Sequence, residues 1–238
     1  RRGHFLYSLG AVPSALPYNM IGSWLLTFYT IYAGLSLIDF GILLIIYGIW
    51  NAINDPLIGF YMDKLRPKKG RRVPWIIYGT IPMTLGFIGL WWVPFSDKNI
   101  VFVYGLIMLF VFDTGFTIVM TAWSALYTEM YEDERERASV VATKDSIAFI
   151  SSMIGVMIPS MIAVALGSWA LAGLIMGVTI PITMYLSLLG TKEKVEYQID
   201  EPLPIIKAFK ESILNKPFMI ASITYALIDF CFGFTMMI

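Results

Sequence analysis

Asn51, Asn54 and Asp55 stand one helical turn apart inside an otherwise apolar stretch, residues 39–62. At 3.6 residues per turn they share a stripe with Ile58 and Met62. Lipid cannot satisfy two amides and a carboxylate, so the stripe must face a cavity or a partner helix. A carboxylate beside amide oxygens is a hard-oxygen cradle for a small monovalent cation, and the same carboxylate can instead carry a proton. The competing reading is interhelical glue, with the amides bonding across an interface. Ionisable residues inside a span are costly and mark functional sites by default, so Asp55 carries the stronger expectation.

The stretch that follows holds Gly59, Asp63 and the basic run Lys64, Arg66, Lys68, Lys69, Arg71 and Arg72. Gly59 permits close approach of a neighbouring helix, and Asp63 caps the membrane end of the span. Arg71 and Arg72 can pair with acids on other loops or helix ends, for which Glu129 and Glu134 are candidates, with Arg135 and Arg137 beside them. Such pairs form a latch that differs between two conformations of a bundle. Charge alone is explained as well by plain topology and a solvated loop with internal pairs, but the Gly–Asp–Arg spacing favours the latch.

These residues need a membrane-spanning frame to hold them. Hydrophobic residues make up 58% of the 238-residue chain and charged residues 14%, with a mean hydropathy of +0.72; soluble domains carry about 25% charged residues. Apolar runs long enough to cross a core of ~30 Å recur, and we place spans near 7–34, 39–62, 74–94, 100–127, 144–167, 169–190 and 217–238. The first and fourth are long enough to be tilted or broken, and Pro13 and Pro17 point to a break in the first. Of the 17 Lys and Arg, all but Lys98 fall before span one or between spans two and three, four and five, or six and seven. By the positive-inside rule the N-terminus and those loops are cytoplasmic, while loops 35–38, 95–99 and Gly167–Ser168 face outward.

Residues 191–216 read as a polar cytoplasmic linker between a six-span bundle (1–190) and a seventh span (217–238). That is the layout of a half-transporter joined to the start of its second half. One Cys (Cys231) excludes an internal disulfide, and the one His (His4) reads as a surface residue. No signal peptide is apparent. No His/Cys metal set, nucleophile–His pair or phosphate loop is present, so the chain does not read as an enzyme. The basic run is explained by topology, which leaves no case for nucleic-acid binding.

The segment Asn54 to Trp75, N-D-P-L-I-G-F-Y-M-D-K-L-R-P-K-K-G-R-R-V-P-W, closely resembles the glycoside–pentoside–hexuronide cation symporters, the melibiose-permease-like branch of the major facilitator superfamily. Asp113-Thr114-Gly115-Phe116-Thr117, Trp123-Ser124-Ala125-Leu126, Glu129 and Glu134 to Arg137 resemble that family's fourth span and following loop. Tyr7-Ser8-Leu9-Gly10, Phe28-Tyr29-Thr30 and Gly34-Leu35-Ser36 resemble its first. The likeness covers essentially the whole chain.

The resemblance implies a coupling-cation site between spans two and four. Asp55 matches the family's principal cation carboxylate, Asn54 a nearby amide and Thr117 a threonine ligand, while Asn51 replaces a second Asp of sodium-coupled sugar members. Sodium and proton both stay open as the coupling ion, and no other cofactor or metal is implied. The sugar site departs further. Ala15 and Met120 stand where melibiose-type members bind sugar through carboxylates, Ala122 replaces a proline, and Asp145, beside Lys144, replaces an arginine. Tyr18, Asn19, Trp24, Trp123, Ser124 and Asp145 remain to meet a solute, against a competing reading of packing or interfacial anchoring. Packing or anchoring is the expectation for Trp75, Trp91 and Trp92. Asp113 and Asp229 are further intramembrane acids without an assigned partner.

The expected fold is all-α: two inverted three-helix repeats forming a major-facilitator N-terminal bundle, plus a seventh helix. The expected function is secondary active transport, a cation-coupled sugar or glycoside symport by alternating access, in a monomer of the plasma or inner membrane. A non-sugar solute (organic anion, drug or lipid) on the same fold is the first alternative. A non-transporting membrane subunit is the second.

Overall fold

Three short polar side chains start the long helices of this chain. Asp97 accepts bonds from the amides of Asn99 (2.9 Å) and Ile100 (3.1 Å), Asp133 from Glu136 (3.0 Å), and Ser168 from Leu171 (3.3 Å). Each satisfies amides that the first helical turn leaves without a partner. Ser36 and Asp39 bond reciprocally in the same way at the next helix start. The structure, a computed structural model, describes residues 2–64, 72–131, 133–191, 193 and 214–235. Its elements are α1 (Arg2–Ser8), α2 (Ala11–Thr27), a π turn (Phe28–Tyr32), α3 (Leu37–Lys64), α4 (Val73–Trp91), α5 (Lys98–Met130), α6 (Glu134–Leu166), α7 (Trp169–Leu188) and α8 (Lys216–Thr235). No strand occurs among the described residues.

The chain forms two compact units, residues 1–198 with α1 to α7 and residues 199–238 with α8. Helix α8 contains Asp229 and starts with the Asn215 side chain accepting from the Phe218 amide at 3.3 Å. In the first unit, α3 to α7 are each long and apolar enough to cross a membrane. Large apolar side chains stand exposed on every one of them, Ile45, Leu85, Val103, Val164 and Leu174 among them. A bundle solvated by lipid tails presents this surface.

The first span is broken, though not at its prolines. Pro13 sits in the first turn of α2, where its missing N–H has no intrahelical duty, and Pro17 is carried inside the helix. The breaks fall at Leu9–Gly10 and at the π turn, where the Ala33 amide reaches back to the Phe28 carbonyl (3.0 Å). Gly10 lies against the indole of Trp123, so a side chain there would collide with it. The fourth span is one unbroken 33-residue helix. Helix α6 starts ten residues before the expected span because Asp133 caps it; it ends at Gly167 in the left-handed conformation (φ +63°).

Packing follows an internal pairing. Helix α2 packs against α6 and α7, α5 against α3 and α4, and α4 against α7. Exchanging the triplet α2, α3, α4 for α5, α6, α7 maps α2–α6 onto α5–α3, α2–α7 onto α5–α4, and α4–α7 onto itself. Since successive spans alternate in direction, spans three apart run oppositely and the two triplets are inverted repeats. The α4–α5 seam is set by glycine: Gly115 meets the Met83 backbone, and Gly86 meets the Phe112 backbone. Trp91, 1% exposed, stacks on Trp169 (5.6 Å) inside the core, whereas Trp92 is 62% exposed.

Candidate functional site

The α3 stripe meets α5 through a carboxylate. Asp113, 3% exposed, accepts hydrogen bonds on Oδ1 from the Tyr47 hydroxyl (3.0 Å) and the Asn51 amide (2.9 Å), and on Oδ2 from the Asn54 amide (3.0 Å). Asn54 also points its amide at the Thr117 hydroxyl (3.4 Å), and that hydroxyl donates to Asp55 Oδ1 at 2.8 Å. The path Asp113–Asn54–Thr117–Asp55 thus has a carboxylate at each end and an amide and a hydroxyl between them. Asp113 takes three donors and so anchors the side chains of Tyr47, Asn51 and Asn54 to α5. Asp55 takes one, lies exposed on this unit, and keeps Oδ2 without a hydrogen bond among the described residues. The structure thus brings Asn51, Asn54, Asp55 and Thr117 together around Asp113. Sequence reasoning left Asp113 and Tyr47 without a role. Tyr47 continues the α3 stripe one turn before Asn51, and Asp113 lies one turn before Thr117, which was the available signal.

Two cavities open beside this network and share Ser14, Asp55, Phe116 and Thr117. The smaller, about 340 Å³, also meets Tyr18, Asn51 and Asp113. The larger, about 610 Å³, continues along α5 past Met120, Thr121, Trp123 and Ser124 to Lys144 and Asp145 on α6. Tyr18, Ser124, Trp123 and Asp145 therefore line cavities. Asn19 lines neither: its amide donates to Ser152 Oγ (3.0 Å) and to the Ala15 carbonyl (2.8 Å), tying α2 to α6. Trp24 donates to the Val156 carbonyl at 2.7 Å.

Trp123 has a second duty. It is 5% exposed and stacks on Tyr7 at 4.9 Å, and its indole N–H donates to Ser187 Oγ (3.1 Å). Ser187 donates to the Tyr7 carbonyl (2.8 Å), and Tyr7 donates to the Trp123 carbonyl (2.7 Å). This triangle pins α1, α5 and α7 and leaves only a ring face for the cavity. Trp123→Phe keeps the face and removes the donor, leaving Ser187 short of a buried partner. A loss of about 1–3 kcal/mol is expected, read as a lower melting temperature in detergent with the cavity preserved.

At the end holding α1, Arg72 Nε lies 3.7 Å from Glu129 Oε1, with both side chains nearly buried, and the Arg72 amide donates to Glu193 (2.7 Å). Arg137 spends its guanidinium on the Tyr131 carbonyl (2.9 and 3.1 Å), whereas Arg135 is exposed. Burial, and then the negative charge of Glu136, push the Tyr131 phenol up to about 12. His4 is not a bare surface residue: its Nε2 meets Glu136 at 2.7 Å and its ring packs edgewise on Tyr131. No heavy atom of another element lies within 4 Å of a Cβ placed at Gly59, so the close approach expected there is not made among the described residues. Arg71 lies outside the described residues, as do the side chains of Asp63 and Asp229.

A family profile described as MFS/sugar transport protein matches residues 6–238. The chain belongs to this family, the glycoside–pentoside–hexuronide-like symporters of the major facilitator superfamily. An uncharacterized symporter of Synechocystis sp. is 31% identical over 166 residues, covering 67% of this chain and 30% of that protein. An uncharacterized symporter of Bacillus subtilis is 25% identical over 232 residues, 93% of this chain and 50% of that protein. A sodium-dependent lysophosphatidylcholine symporter of Danio rerio is 27% identical over 157 residues, 66% and 29%. The chain spans about a third to a half of the length of these symporters. In this family member, the α3–α5 network and both cavities lie in the first unit.

Proposed function

We propose that the protein is a cation-coupled symporter working by alternating access, with the coupling ion held at Asp55 and Thr117 and by the amide oxygens of Asn51 and Asn54. The observation that carries this reading is the bond path Asp113–Asn54–Thr117–Asp55, which ends on a carboxylate lining both cavities. Asp113 contributes by positioning the amides of Asn51 and Asn54 rather than by ligation, since its oxygens are occupied by Tyr47, Asn51 and Asn54. Sodium is the ion we favour, supported by the sodium-dependent symporter among the relatives. Solute binding is favoured by cation occupancy, and linkage makes the preference reciprocal. The Arg72–Glu129 pair serves as a latch at the end we assign to the cytoplasm by its positive charge, in a multi-pass protein of the cell membrane.

The cargo we favour is a sugar or glycoside, supported by the family description and by the hydroxyl and aromatic lining of the larger cavity. A second reading, an amphiphilic lipid, is favoured by the lysophosphatidylcholine symporter relative and by Ala15 and Met120, which offer no carboxylate to sugar hydroxyls. Uptake into sealed vesicles carrying the gene product separates these. Labelled sugar or labelled lysophospholipid should accumulate under an inward sodium gradient. Accumulation under a proton gradient alone would reassign the ion, and none under either would remove both cargo readings.

A further inference from the structure

Lys144 is the basic side chain that lines the larger cavity, and its ammonium is underused. Among the described residues Nζ makes no hydrogen bond. It stands 5.9 Å from the Trp123 ring centroid and 5.7 Å from that of Tyr127, with Asp145 Oδ1 at 3.9 Å, beyond hydrogen-bond reach. The Asp145 side chain is 64% exposed and that of Lys144 31%. The two ring faces hold the ammonium against α5 without consuming its three donors. Met120, Thr121 and Ser124 line the wall between this ammonium and Thr117. Six residues of helix separate Thr117 from Trp123, roughly 9 Å, so one end of the cavity holds the cation carboxylate and the other a lysine.

Resting on the symport reading above, we propose that the solute carries an anionic group, a carboxylate or phosphate, and that Lys144 binds it while the solute body lies along Ser14, Thr121 and Ser124. A charged donor with unspent hydrogen bonds discriminates for an anion and against its uncharged analogue. The two carboxylates of the cavity, Asp55 and Asp145, repel such a solute. A cation at Asp55 removes one of these two repulsions, so charge itself makes binding of the two species cooperative.

The test measures gradient-driven uptake of one labelled solute by the gene product in vesicles, with paired competitors. Methyl glucoside is set against its 6-carboxylate glucuronide, and monoacylglycerol against lysophosphatidic acid. The acid of one pair should compete at least about tenfold better than its neutral partner, and the pair that responds tells a sugar acid from a lipid headgroup. Lys144→Met should level the pair, and Lys144→Arg should restore the preference, which a merely structural lysine would not do. Equal competition by acid and neutral partner, or a preference that survives Lys144→Met, overturns the proposal while driven uptake still upholds symport. If Lys144→Met fails to insert, the wild-type competition ratio decides alone. Uptake of no solute under any gradient overturns both readings.

Discussion

Asp55→Asn is expected to abolish concentrative uptake while leaving the protein folded and inserted. The replacement keeps the shape of the side chain and an oxygen that can still accept from Thr117, which donates to Asp55 at 2.8 Å. Asp55 is exposed on its unit, so no packed core depends on its charge. What disappears is the one carboxylate in the network with an oxygen uncommitted among the described residues. A unit charge near 4 Å in a medium of effective dielectric 20 contributes about 4 kcal/mol, or roughly a thousandfold in cation affinity. The accumulation ratio under a sodium gradient should therefore fall to about one, with the melting temperature unchanged. Solute exchange across vesicles at equal concentration can persist, because it needs no net ion movement. Undiminished accumulation in Asp55→Asn would sink the assignment.

What could be read before folding, and what could not, divides along a physical line. Asn51, Asn54 and Asp55 stood out because the helical period is a local property and polar residues are conspicuous in an apolar stretch. The resemblance added Thr117. Asp113 stayed unassigned because its role depends on a pairing across some sixty residues, which requires the register of α3 against α5. That register follows from the direct packing of α3 on α5, and no residue type announces it. Residue chemistry was also ambiguous about direction. Asn19 and Trp123 have the donors a sugar would want, yet Asn19 spends its amide on Ser152 and Trp123 its indole on Ser187. The early start of α6 was readable, since Asp133 followed by Glu136 is a cap pattern. The pairing of Arg72 with Glu129, rather than with Glu134, follows only from where α5 ends.

Gly115→Leu should be the most damaging substitution in the first unit, and for a reason connected to the site. Gly115 and Gly86 lie on facing surfaces of α5 and α4, each against the backbone of the other helix, at Met83 and Phe112. Close backbone approach through small residues is how helices associate where no hydrophobic drive exists. A side chain at Gly115 meets main chain rather than the flexible end of a neighbour, so relief requires the helices to part. Overpacking of this kind costs about 1–3 kcal/mol or more, and a leucine has four carbons to place. Gly115 also sits between Asp113 and Thr117, so any displacement of α5 there shifts the carboxylate away from Tyr47, Asn51 and Asn54 and the hydroxyl away from Asp55. Gly115→Ala should melt lower and lose coupled uptake together, and Gly115→Leu should fail to yield a monodisperse detergent-extracted protein. Gly59→Leu is the matched control, because nothing among the described residues lies within 4 Å of a Cβ there. It should extract and melt as the wild type does. Equal behaviour of the two leucine variants would show that the α4–α5 seam does not hold α5 in place at the site.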